Sequence, residues 1–261
     1  MSTSDNTSNG QTVEQLMEAI SKRRSRRTIL SGAMMGAGAV GAVVAGVPLS
    51  NMTALAATNT SASCIDSVQT ILTVARTAEQ LAITFYTNGI ANADKLGIRG
   101  SDLAYLKAAL VEEQIHQLFF TANGGQSLAT TFSFPHGKET FEDLQTFIAT
   151  QQQLEGVFDS AFLAAVKEFA ELNQPGLAQI AAQIACIESE HRALGRAIGG
   201  LVPADNWAFA PVLVPSVGAA PKIVADAGYL SPRAGNSYTY HQVSISSGGV
   251  IYRKPYAVPC S

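Results

Sequence analysis

Apolar residues recur at three- and four-residue steps along four stretches of the chain, the signature of helices with one buried face. The first runs over residues 65–91, where Ile65, Val68, Ile71, Leu72, Ala75, Ala78, Leu81, Ala82 and Phe85 keep the period, with Ser63 or Ser67 placed to cap it. A short polar loop, Asn92 to Gly100, leads to Ser101-Asp102, which opens a second helix ending near Ala122 at Asn123-Gly124-Gly125. Residues 126–138 carry no helical period and read as a long crossover. Thr140 with Asp143 opens a third helix in capping-box style, which continues to about Leu172. Asn173-Gln174-Pro175-Gly176 is a turn that places Pro175 at a first helical position, and a fourth helix ends at Gly199-Gly200. Two short links and one long one predict an all-α four-helix bundle, with the long crossover between helices two and three.

The segments on either side break this pattern. Residues 201–261 are Pro-rich, with a short helix expected near 217–228 and a β-hairpin from 237–246 and 250–258 around Ser247-Gly248-Gly249. This segment reads as a tail packed on the bundle, a small strand-rich subdomain being the alternative. At the other end, Lys22-Arg23-Arg24-Ser25-Arg26-Arg27 precedes an apolar Gly/Ala-rich run from Gly32 to Val47, then Pro48 and the small-x-small triplet Ala54-Leu55-Ala56. Basic, apolar and cleavage regions in that order form an export signal over residues 1–56. The run falls short of the roughly 20 residues that span a bilayer, so cleavage is favoured over an uncleaved membrane anchor. The bundle then occupies 57–200 and the tail 201–261.

Composition narrows the function. Charged residues make up 14% of the chain and hydrophobic ones 47%, which suits a packed domain rather than a disordered one. The net charge of −3, with no basic patch after the N-terminal region, gives no suggestion of nucleic-acid binding. Cys64, Cys186 and Cys260 form no C-x-x-C, which removes zinc ribbons and thioredoxin-type sites. In an exported protein Cys64 and Cys260 could be joined in a disulfide tying the tail to the first helix. Cys186, among small residues, is expected to be buried.

The candidate chemistry lies inside the bundle. Helix two contains Glu113-Gln114-Ile115-His116, and helix four contains Glu188-Ser189-Glu190-His191. Residues three apart share a helix face, so each motif presents a carboxylate beside an imidazole. Helices one and three add Glu79 and Glu155 among apolar neighbours, where an unpaired charge is costly. Glu79 precedes Glu113 by 34 residues and Glu155 precedes Glu188 by 33, so the halves repeat. The repeat extends to Tyr86 and Phe162, each seven residues after its glutamate. Four carboxylates and two imidazoles suit two divalent cations, in half-sites Glu79/Glu113/His116 and Glu155/Glu188/His191. Mixed oxygen and nitrogen donors favour iron or manganese over calcium or magnesium. Tyr86 is expected in the core, with a hydrogen bond to a ligand carboxylate as the alternative. Asp159 is a candidate to orient His116 or His191. Glu112 and Glu190 lie behind the ligands or face solvent, and His136 and His241 are not ligands.

Ala78-Glu79-Gln80-Leu81, Phe85-Tyr86-Thr87 and both Glu-x-x-His motifs resemble the ferritin-like superfamily of di-iron and di-manganese carboxylate proteins, over residues 65–200. Within it the chain resembles secreted bacterial ferritin-like domain proteins, which are similar to plant desiccation-related proteins. Ser25-Arg26-Arg27-Thr28-Ile29-Leu30 resembles a twin-arginine signal. These resemblances imply two iron ions (or manganese), dioxygen or peroxide as co-substrate, and a ferroxidase-like oxidation linked to stress. They also imply export through the twin-arginine translocation machinery, to the periplasm, cell envelope or outside, and allow a homo-oligomer. A manganese catalase-like peroxide scavenger and a non-enzymatic envelope protein with a structural metal are the alternatives.

Overall fold

A computed structural model describes residues 65–246, 249–251 and 255. The expected export signal, Cys64 and Cys260 lie outside the described residues, so the disulfide pairing does too.

Four long helices carry the structure: α1 (Val68–Ala91), α2 (Ser101–Ala122), α3 (Leu144–Glu171) and α4 (Pro175–Ile198). Ser67 caps α1, its hydroxyl accepting from Thr70 N at 3.1 Å. The polar loop after α1 contains a single helical turn, Ala93–Leu96, closed by Gly97 in the left-handed region. α3 begins later than the capping-box spacing predicts. Asp143 is the cap itself, accepting from Thr146 N at 2.8 Å, and Thr140 is buried in a preceding 3-10 turn, Gly137–Phe141. Pro175 stands at the start of α4 as expected.

The helices run antiparallel to their partners. The start of α1 meets the end of α2, where Arg76 donates to Gly125 O at 2.8 Å. α3 and α4 are joined by Gln151 and Gln152, which donate to the carbonyls of His191 and Arg192 at 2.7 and 2.9 Å. Across the bundle, α1 and α3 are also antiparallel, with Gly89 against Phe147 and Tyr86 against Gln151. Gly89 matters here: a Cβ would fall 2.5 Å from the Phe147 ring, which stacks on Phe85 at 4.5 Å. That end of the bundle is aromatic, with Phe85, Phe134, Phe141, Phe147, Tyr229 and Tyr238 in edge or stacked contact. Each fully buried phenyl removes enough apolar surface from water to contribute roughly 1.5–3 kcal/mol before chain entropy is counted.

The tail docks on the crossover. Tyr238–Thr239 (β2), in the first arm of the expected hairpin, forms a strand, and its partner is Thr131–Phe132 (β1) of the crossover. Most of the second arm lies outside the described residues. Asn236 brackets Phe134, accepting from its N–H at 3.0 Å and donating to its carbonyl at 2.9 Å. The expected helix near 217–228 is a 3-10 turn, Val217–Ala219, followed by α5 (Ala220–Asp226). The buried Glu168, near the end of α3, clamps two segments: Oε1 accepts from Asp66 N at 2.7 Å and Oε2 from Val217 N at 2.9 Å. Asp66 in turn accepts from Gly218 N at 2.6 Å. Among the described residues no helix is long and apolar enough to cross a membrane.

Candidate metal centre

Each of the four long helices turns one glutamate toward a common point inside the bundle, and two of them turn a histidine three residues further on to the same face. The structure brings all six predicted residues together. Glu79, Glu113, Glu155, Glu188 and His191 are buried, and the His116 side chain is 12% exposed. Their donor atoms fall into two overlapping groups: Glu79, Glu113, His116 and Glu188, and Glu113, Glu155, Glu188 and His191. In each group the atoms lie within 4.8 Å of one another.

The repeat in the sequence becomes an approximate two-fold arrangement with shared members. His116 Nδ1 is 3.8 Å from Glu79 Oε2, 3.7 Å from Glu113 Oε2 and 3.7 Å from Glu188 Oε1. His191 Nδ1 is 4.0 Å from Glu155 Oε2, 2.9 Å from Glu113 Oε1 and 3.6 Å from Glu188 Oε2. Glu113 and Glu188 therefore turn one oxygen to each histidine. The half-sites expected from spacing are thus not separate triads; each gains the other's motif glutamate.

Hydrogen bonding tests whether a cation fits. Buried polar atoms are rarely left without a partner. Among the described residues, eight buried atoms of these side chains make no hydrogen bond: Glu79 Oε1, both oxygens of Glu113 and of Glu188, Glu155 Oε2, and Nδ1 of His116 and of His191. Five of the six imidazole–carboxylate separations, 3.6–4.0 Å, are too long for hydrogen bonds. Two donors each about 2.1 Å from one ion are about 3.0 Å apart at right angles and about 4.2 Å apart when opposed. Most of the measured separations fall between those limits. The cluster could hold metal ions, and its donor chemistry fits them.

Electrostatics point the same way. Burial, then repulsion from Glu113, pushes the Glu79 carboxyl well above its ordinary range. Burial and the neighbouring Glu188 do the same to Glu155, and burial and Glu113 raise Glu188. Burial opposes charge on Glu113 too, but the close approach of Glu79, His116 and His191 outweighs it and holds that carboxyl low. Burial disfavours a charged His191, yet contacts with Glu112, Glu113 and Glu188 hold its pKa well above the usual imidazole value. Four carboxyls and two imidazoles crowded in a water-poor core are a costly arrangement that a cation relieves.

The surrounding layer differs between the halves. Tyr86 is buried, and its hydroxyl donates to Glu155 Oε1. Gln151 Nε2 donates to the Tyr86 oxygen at 3.1 Å. The position related by the repeat is Phe162, which has no hydroxyl and stacks on Phe120 at 5.9 Å. Tyr86 is therefore both a core residue and a hydrogen-bond partner of the cluster. Asp159 is engaged by Ser189 Oγ at 3.1 Å rather than by a histidine. Glu112 is the carboxylate on His191, with Oε2 2.8 Å from Nε2. Its position one residue before Glu113, on a neighbouring strip of α2, was the sequence signal for it, but nothing in the spacing tied it to α4. Glu190, His136 and His241 are exposed, and Cys186 is exposed rather than buried.

Four antiparallel helices that gather paired Glu-x-x-His motifs and two further glutamates at one buried point define a metal-binding carboxylate bundle. The chain belongs to the ferritin-like domain family, whose model matches residues 67–200, just over half of its length. No curated protein and no solved structure matches the chain.

Proposed function

We propose that this chain is an exported ferritin-like protein that holds two divalent metal ions, iron first and manganese as the alternative, for oxidation by dioxygen or peroxide. The observation that carries the reading is the set of eight buried, unpartnered donor atoms divided between two overlapping groups. Glu79 and His116 would hold one ion and Glu155 and His191 the other, with Glu113 and Glu188, which turn one oxygen to each histidine, available to both. Bound iron or manganese would supply electron transfer to dioxygen or peroxide, chemistry the side chains lack.

The chain's own residues shape that site. The four carboxylates balance the charge of two divalent cations. With metal bound, Glu112 would accept a hydrogen bond from His191 Nε2–H, which would leave Nδ1 as a lone pair facing Glu113, Glu155 and Glu188. Tyr86 fixes the orientation of Glu155. His116, the less buried histidine, marks the side nearer solvent. The basic, apolar and cleavage pattern before residue 57 supports export through the twin-arginine machinery, which would place this chemistry outside the cytoplasm.

Elemental analysis and anaerobic Fe(II) titration of the purified full chain test the reading. Two ions per chain are expected, followed by dioxygen consumption on exposure to air. Glu113→Ala should lose both positions, because its two oxygens face both histidines. Wild-type protein that holds no metal would remove the proposal. Tight metal without turnover would favour a structural role, and oxygen release from peroxide by the manganese form would favour the catalase-like alternative.

A further inference from the structure

Between α1 and α3, on the side covered by α5, lies a cavity of about 50 Å³. Ala75 and Ala78 of α1, Phe158 and Ala161 of α3, and Ala220 and Val224 of α5 form much of its wall. Thr77 is the one side chain of the lining with a polar atom, and its hydroxyl is already used, donating to Thr73 O at 2.8 Å and accepting from Leu128 N at 3.0 Å. A water held inside a protein needs two to four polar partners, and this lining offers no free one. Apolar cavities near 150 Å³ take benzene or xenon. One of about a third that size has room for a monatomic or diatomic guest, not for an aromatic ring or an acyl chain.

Its place in the bundle is informative. The antiparallel register that sets Tyr86 against Gln151 and Asp66 against Glu168 sets Ala78 opposite Phe158 and Ala75 opposite Ala161. Glu79 is the residue after Ala78, and Glu155 lies one turn before Phe158. The cavity and the carboxylate cluster therefore occupy the same level of the bundle, one inside it and one beneath the tail. We propose that this cavity is a binding site for a small apolar gas molecule, with dioxygen as its guest beside the metal centre. The use of that guest rests on the proposed redox function; the binding itself does not.

Xenon is the probe, applied to the full chain by 129Xe NMR and in crystals under xenon pressure, with and without metal. One xenon is expected in the cavity, lost in Ala161→Leu, which extends a larger side chain into it. Ala75→Val serves as a milder variant should the leucine disturb folding, and both are checked by circular dichroism. No xenon in the wild type, or xenon binding unchanged in both variants, would overturn the proposal. In iron-loaded protein the same variants should raise KM for dioxygen while kcat and metal content hold; an unmoved KM would overturn the assignment of dioxygen. A chain that takes xenon but no metal would sink the redox reading alone.

Discussion

Gly195→Ala should destabilise the protein, against the usual sign for a helix. Alanine in a helix interior is ordinarily better than glycine by about 0.5–1 kcal/mol. Here a Cβ built on Gly195 falls 1.9 Å from Gln151 Oε1, 2.4 Å from its Cδ and 2.6 Å from its Nε2. A flexible side chain could swing aside, but Gln151 is only 2% exposed and is held at three points. It donates to Tyr86 Oη and to His191 O, and it accepts from Gln152 Nε2 at 2.7 Å. Losing two or three such bonds costs about 0.5–1.5 kcal/mol each, and the overpacking adds about 1–3 kcal/mol. After the propensity gain, the net loss is about 1–7 kcal/mol, with a fall in Tm of about 2–4 °C for each kcal/mol in a domain of this size. Thermal unfolding of the metal-free protein by calorimetry measures it. A double variant, Gln151→Ala with Gly195→Ala, should lose less than the sum of the two single changes. An unchanged or higher Tm in Gly195→Ala would refute the reasoning, because Gln151 would then not be held in place.

Tyr86→Phe removes the donor to Glu155 and should cost about 1.5–3 kcal/mol in the metal-free protein, read as a lower Tm. It should also weaken the His191-side metal position more than the other, visible as two separated steps in a metal titration. The metal-free protein should gain stability as pH falls from 8 to 5. Glu79, Glu155, Glu188 and His191 all have raised pKa values, so the folded state binds more protons than the unfolded one. Glu113, held low, contributes only below that window. The metal-loaded protein should show the opposite slope, since those protons must leave before cations bind. Glu168→Gln offers one acceptor oxygen where two N–H groups now arrive, at a cost of about 1–3 kcal/mol. Limited proteolysis between residues 201 and 216 should quicken while the helical signal of the bundle is retained; an unchanged cleavage rate would contradict the clamp.

Much of the bundle was legible because its constraints are periodic. Helical spacing bounded α1, α2 and α4 closely, and the 34- and 33-residue intervals pointed to all six residues of the cluster. What escaped depends on contacts that spacing does not encode. Two candidate caps stood at the start of α3, and Asp143 prevails because Phe141 and Thr140 are drawn into the core as a 3-10 turn. Cys186 looked buried by composition, yet it precedes Glu188 by two residues, about 200° around the helix from the inward face. Both Glu112 and Asp159 lay close to the cluster, and only the packing of α2 on α4 decides which carboxylate meets His191. Alternation in residues 237–246 marked a strand without naming its partner, because register comes from the surface it meets. That surface is the crossover, over a hundred residues earlier.

The Glu168 clamp also sets when this domain can finish folding. It joins Asp66, just ahead of the α1 cap, to a backbone N–H of the tail, and Asp66 reaches Gly218 across 152 residues. Contacts of such separation raise the contact order of what would otherwise be a fast-folding, locally connected bundle. The four helices can pair as they are made, but their outer seam closes only after residue 218 has been synthesised. A nascent chain halted near residue 200 would present helices with the α1–α3 groove uncovered and a buried carboxylate without its second amide. Completion of the fold is thereby tied to completion of the chain.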